Sequence, residues 1–240
     1  MKKITVIFLL APPKSGSTLL QILLSKNDQT FPIGERKITS LNDQCSCGKI
    51  LTSCEFWSQI IRKFNIKNKD FFNTQSIETT NKLFAEISNI SKKEYIIDNS
   101  KDTKFLKKCL LNNNNIDLKI ISLSRNPLEL IDIQKKKRDL HNQKKGMTIF
   151  KTSKMVLGYT IAQIILFNKI SFYIDYNNLI KNPLIEINKA FKSLNLNTVQ
   201  DLDITKDNIH LIGGSGFRGN YNNLSKSNGI KNLSFLEIVY

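Results

Sequence analysis

The sequence predicts an α/β fold in three layers, with helices covering both faces of a central, mainly parallel sheet. Three observations carry this. Short runs rich in β-branched residues alternate with longer stretches of helical periodicity, the element order that covers a parallel sheet on both sides. Strand-like runs such as "ITVIFLL" and "LKIISLS" are apolar almost throughout, as strands buried on both faces must be. The first of them breaks into "APPKSGSTLL", a turn that passes at once into helical spacing. With 240 residues, 40% hydrophobic and 23% charged, the chain has the size and composition of one globular domain over 1–240.

In order, residues 3–11 read as the first strand and 17–26 as a helix. Thr30 to Gly34, "TFPIG", is a short second strand or extended turn. Helical patterns cover 55–65 and 76–92. Glu94 to Ser100, "EYIIDNS", is a buried strand ending in polar residues, and Leu118 to Arg125, "LKIISLSR", is another. Helices follow over 127–139 and 148–167. "ISFYIDYNNL" is a late strand, and Pro183 opens a last helix to Leu194, proline being favoured in a first turn. Residues 34–60 form a cysteine-containing insert, and 210–230, rich in Gly, Asn and Ser, reads as a flap loop.

Parallel sheets place their sites at the carboxyl ends of the strands. The polar groups after three strands all fall there: Lys14–Thr18, Asn99–Lys101 and Ser124–Arg125. In the first, Gly16 at the tight point lets successive backbone N–H groups face an anion at a helix N-terminus, and Ser15, Ser17 and Thr18 add hydroxyls. The layout is P-loop NTPase-like, with one displacement. Aligned on Gly16 and Thr18, the G-x-x-x-x-G-K-[ST] pattern puts Ala11 at the first glycine and Ser17 at the lysine. The lysine, Lys14, sits at the crest of the loop instead. From there it reaches a bridging oxygen on the far side of the anion, which suits a leaving group that develops charge without the usual Mg²⁺ arrangement.

"PPKSGSTLL" resembles the 5′-phosphosulfate loop of the sulfotransferases that use 3′-phosphoadenosine 5′-phosphosulfate (PAPS). "LSRNPLELIDIQ", Leu123 to Gln134, is similar to that family's 3′-phosphate segment, with Arg125 in the place of its arginine and Ile133 where the family has serine. "CSCGKILTSCEFW", "IIDNSKD", "YNNLIKNP" and "HLIGGSGFRGN" resemble further segments of the bacterial branch, which is related to carbohydrate and protein-tyrosine sulfotransferases. The resemblance runs over about 1–220. It implies PAPS as co-substrate with no metal required, and sulfuryl transfer to a hydroxyl-bearing acceptor: carbohydrate, lipid, small molecule or protein tyrosine. Lys14 then stabilises the leaving bisphosphate. The segment Ser15, Gly16, Ser17 and Thr18 holds its 5′-phosphate, and Arg125 grips the 3′-phosphate, with Ser124 and the flap's Arg218 as further binding candidates. Glu35, after the second strand, is the first candidate for the base and His210 the second. Lys101 is placed to neutralise the sulfuryl group.

Cys45, Cys47 and Cys54 have the spacing C-x-C-x6-C, three thiols with no histidine near in sequence. A metal would need a fourth ligand from elsewhere; a Cys47–Cys54 disulfide and plain reduced thiols are the alternatives. Net charge is +16, which points to anionic partners, an anionic acceptor among them. Gln134 to Lys145 alone holds six cations. The run lacks interleaved aromatics, so nucleic acid is not expected. The opening "MKKITVIFLLA" imitates a signal peptide but enters the loop without a cleavage pattern. No other apolar run approaches membrane-spanning length, so a cytoplasmic chain without a stable membrane anchor is expected. Two other functions fit the same core: a P-loop kinase or NTPase, and a non-catalytic relative that binds nucleotide or polyanion.

Overall fold

The computed structural model describes residues 4–74, 76–112, 116–140, 148–202 and 209–213. Five strands, β1 (Ile4–Leu10), β2 (Thr30–Gly34), β3 (Tyr95–Asp98), β4 (Ile116–Ser124) and β5 (Ile170–Asp175), form one sheet in the order β2-β3-β1-β4-β5. Every pairing is parallel. β1 lies at the centre, with Val6 opposite Ile96 of β3 on one side and Leu118 of β4 on the other.

Strand alternation divides the core in two. Val6, Phe8 and Leu10 face one layer, built by α2 (Trp57–Lys63), α4 (Ile77–Ser91), α5 (Thr103–Asn112) and α7 (Thr148–Ile165). Ile7, Leu9 and Ala11 face the other, built by α1 (Ser17–Leu24), α8 (Tyr176–Lys181) and α9 (Pro183–Ser193). This is the expected three-layer α/β/α sandwich. The remaining helices are α3 (Asp70–Asn73) and α6 (Pro127–Leu140). No helix among the described residues is long and apolar enough to cross a membrane.

Two readings are corrected. The late strand stops at Asp175 rather than running to Leu179. The Asp175 carboxylate accepts from the N–H groups of Asn177 and Asn178, which caps α8 and turns the chain into a helix. Asp102 does the same for α5, accepting from the N–H groups of Lys104 and Phe105, and the sequence reading assigned no helix there.

The β2 edge is covered by a segment remote in sequence. Ile212 N–H donates to the Ile33 carbonyl (3.0 Å), and Glu35 N–H donates to the Ile212 carbonyl (2.6 Å). Gly34, at φ 82, is required there: a Cβ would lie 2.2 Å from the Ile212 oxygen. Of the expected flap, only 210–213 falls within the described residues; 214–230 lies outside them.

Candidate functional site

All five strands end on one edge, and the loops after them make the site. After β1, the turn closes with Ser15 N–H donating to the Pro12 carbonyl (3.2 Å). Lys14 has φ 70 and Gly16 φ 94, two left-handed residues that fold the loop back on itself and aim the chain into α1. Ser15's N–H is thus committed to the turn. The N–H groups of Gly16, Ser17 and Thr18 open the helix, where first-turn donors have no intrahelical acceptor. Ser17, at the Walker-lysine position, is buried.

Arg125, at the end of β4, clasps this loop. Its Nη1 donates to the Lys14 carbonyl (3.2 Å) and its Nε to Glu129 (3.0 Å) one turn into α6. Its guanidinium carbon lies 4.0 Å from the centroid of the Tyr176 ring, close enough for cation–π attraction. The same ring packs on Gly16, where a Cβ would fall 2.4 Å from Tyr176 Cε2. Arg125, Tyr176 and Gly16 therefore form one stack that holds the loop against β4 and β5. Ser124 points elsewhere: its hydroxyl donates to the Ile174 carbonyl at 3.4 Å. Ile133 is buried on α6.

Glu35, after β2, and Lys101, after β3, are brought together as an ion pair, both half-buried. Lys101 holds φ 57, and its carbonyl accepts from the Tyr159 hydroxyl (3.1 Å). Burial, reinforced by the Glu35 and Asp102 charges, pushes the Tyr159 phenol up to about 12. Beneath the pair, Arg36 is buried against Asp98 (3.1 Å), with Phe105 4.5 Å below its guanidinium carbon. A surface pairing of Glu35 with Arg36 is thereby excluded, since the two side chains serve different partners.

Two buried polar groups on this edge, the Ser15 hydroxyl and the Asn99 side-chain amide, have no hydrogen-bond partner among the described residues. An uncompensated buried polar group costs about 1–3 kcal/mol, so both are suited to a ligand that accepts from them.

His210 goes elsewhere. Its Nδ1 lies 3.2 Å from Cys54 Sγ and 3.7 Å from Cys45 Sγ, and its ring stacks on Phe56. Cys47 Sγ is 3.7 Å from Cys54 Sγ, so these are free thiols rather than a disulfide. Cys54 is pushed well down, chiefly by the hydrogen bond from Cys45, and that same bond pushes Cys45 up. In the sequence the three thiols lack a fourth metal ligand; the structure brings His210 to them from 156 positions away. Arg218 lies outside the described residues, and so do the side chains of the basic run.

Several contributors were not singled out from sequence. Tyr176, Glu129, Asp98 and Tyr159 act through partners between 4 and 160 positions away. Only the Arg125–Glu129 spacing, one helical turn, was readable in advance.

No family model and no curated protein matches the sequence. Solved structures do. The sulfotransferase domain from the curacin biosynthetic pathway matches at 15% identity and TM-score 0.60, covering 91% of this chain and 83% of that one. The sulfotransferase domain from the Synechococcus PCC 7002 olefin synthase matches at 14% identity and TM-score 0.57, covering 90% and 83%. The chain has the fold of these sulfotransferase domains.

Proposed function

We propose that this chain, on the sulfotransferase fold, transfers a sulfuryl group from PAPS to a hydroxyl acceptor. The observation that carries the reading is the loop after β1. It retains the left-handed Gly16 and open N–H groups of a phosphate cradle, carries its lysine at Lys14 rather than at Ser17, and is closed by Arg125 from the end of β4, which neighbours β1 in the sheet. The orphaned Ser15 and Asn99 groups fit a bound oxyanion.

PAPS supplies the sulfur electrophile. The acceptor oxygen bonds to sulfur in line as the bond from sulfur to the bridging oxygen breaks, and adenosine 3′,5′-bisphosphate leaves. Lys14 holds the charge growing on that bridging oxygen. The N–H groups of Gly16, Ser17 and Thr18 hold the 5′-phosphate. Arg125 has five N–H donors, of which two are engaged among the described residues, and offers the others to the 3′-phosphate. Glu35 takes the acceptor's proton. Lys101, already on that carboxylate, orients it and faces the transferring group. Positioning and charge stabilisation do most of the work, as in phosphoryl transfer.

Titration with adenosine 3′,5′-bisphosphate, with ATP as control, tests this. Ligand that binds the folded state raises the melting temperature by mass action. The bisphosphate is expected to stabilise the wild type and to lose this effect in Lys14→Ala and Arg125→Ala. Stabilisation by ATP alone would overturn the reading in favour of a kinase or NTPase.

A further inference from the structure

We infer that Cys45, Cys47, Cys54 and His210 bind one Zn²⁺ in a closed, structural Cys3His site that pins the 209–213 segment to the cysteine insert. The four ligand atoms, three Sγ and one ring nitrogen, all lie within 4.8 Å of one another. A tetrahedral zinc with bonds of about 2.3 Å to sulfur and 2.0 Å to nitrogen has S···S edges of about 3.8 Å and S···N edges of about 3.5 Å. The corresponding separations here are 3.7 Å for Cys47–Cys54, and 3.7 Å and 3.2 Å for Nδ1 to Cys45 and Cys54. The cage therefore has the size of one ion, too open for an S–S bond of about 2.05 Å.

The surroundings are those of a metal site as well. Cys45 to Lys49 forms a tight turn, with Gly48 N–H donating to the Cys45 carbonyl and Cys45 N–H to the Lys49 carbonyl, both at 2.9 Å. Gly48 provides the left-handed φ of 87 that the turn needs. The histidine is fixed from two sides, by Phe56 against its ring and by Trp57 Nε1 donating to its carbonyl (2.8 Å). Three thiolates and an imidazole, with no carboxylate, are a soft donor set that selects zinc among common divalent ions. With four protein ligands the site has no open position for catalysis, so its work is mechanical. Zinc binding displaces the thiol protons to solvent. The ion then ties Cys45–Cys54 to His210, two residues from Ile212, which hydrogen-bonds Glu35.

The test is metal content of the full-length chain, by elemental mass spectrometry after expression in zinc-supplemented medium. About one zinc per chain is expected. It should be displaced when a mercurial titrates the thiols, and a cobalt-substituted sample should show thiolate-to-metal charge-transfer absorption. Cys47→Ser alters the one exposed ligand, so it is expected to fold while losing most of the zinc; His210→Ala should do the same. Buried Cys109, outside the cluster, serves as control, and Cys109→Ser should retain full metal. A chain that takes up no zinc on reconstitution, or a peptide map linking Cys47 to Cys54, overturns the inference. Neither result bears on bisphosphate binding, so this site and the sulfuryl-transfer reading fail separately.

Discussion

Replacing Gly16 with alanine attacks the stack that closes the loop. Gly16 has φ 94, and a Cβ there would lie 2.4 Å from Cε2 and 2.6 Å from Cδ2 of Tyr176, over an ångström inside ordinary contact. The ring cannot retreat, because Tyr176 is 3% exposed and Arg125 lies on it. Left-handed backbone costs an L-residue about 1–2 kcal/mol, and overpacking about 1–3 kcal/mol. Gly16→Ala should therefore destabilise by about 2–5 kcal/mol, read as a fall in the urea midpoint at constant m. The two parts separate in a double-mutant cycle. In a Tyr176→Ala background the clash is gone and only the backbone term remains, so the same substitution should cost about 1–2 kcal/mol. Equal costs in the two backgrounds, within about 0.5 kcal/mol, would refute the stack as the reason for glycine here.

Other expectations follow from the ion pairs and the phenol. Glu35→Gln should leave the bisphosphate-induced thermal shift intact and lower transfer by about 10²–10⁴-fold; unchanged turnover removes Glu35 as the base. Asp98→Ala leaves the Arg36 guanidinium buried and unpaired, at a cost of about 3–5 kcal/mol in urea unfolding; a cost below about 1 kcal/mol would show that the pair is not the anchor under β3. The Tyr159 phenol is raised in the folded state, so its contribution is full below its unfolded value near 10 and is lost as pH rises through about 12. Wild type should therefore lose up to about 2 kcal/mol more than Tyr159→Phe between those limits, measured by denaturation at each pH. Parallel curves for the two proteins would count against burial of the phenol.

Much of the fold was legible because parallel strands are buried on both faces and advertise themselves as unbroken apolar runs: "TFPIG" was read to the residue, and β1 within one. The loop after β1 was legible because its chemistry is local, a glycine and hydroxyls within a few positions. Two failures share a cause. Asp102 and Asp175 begin helices by capping with their side chains, a local competition that apolar periodicity does not register. At the site, Glu35 and Lys101 could each be proposed from its strand end, but their pairing could not, since it depends on β2 lying beside β3. His210 is the sharpest case. It is the second candidate for the base because histidine is the commonest one, and its packing against Trp57 and Phe56, over 150 residues earlier, has no signal in the sequence. A contact of that span leaves no periodic trace.

That span also bears on how the chain is made. Ser46 accepts from Leu211 N–H (2.8 Å) and donates to the Ile209 carbonyl (2.6 Å), so these two contacts of the insert wait until those residues exist. At about 5–20 residues per second, the 156 positions between Cys54 and His210 take about 8–30 s to synthesise. For that interval Cys45 and Cys54 lack His210, the Trp57 indole N–H lacks its acceptor, and β2 lacks Ile212 along an edge of the kind that recruits foreign strands.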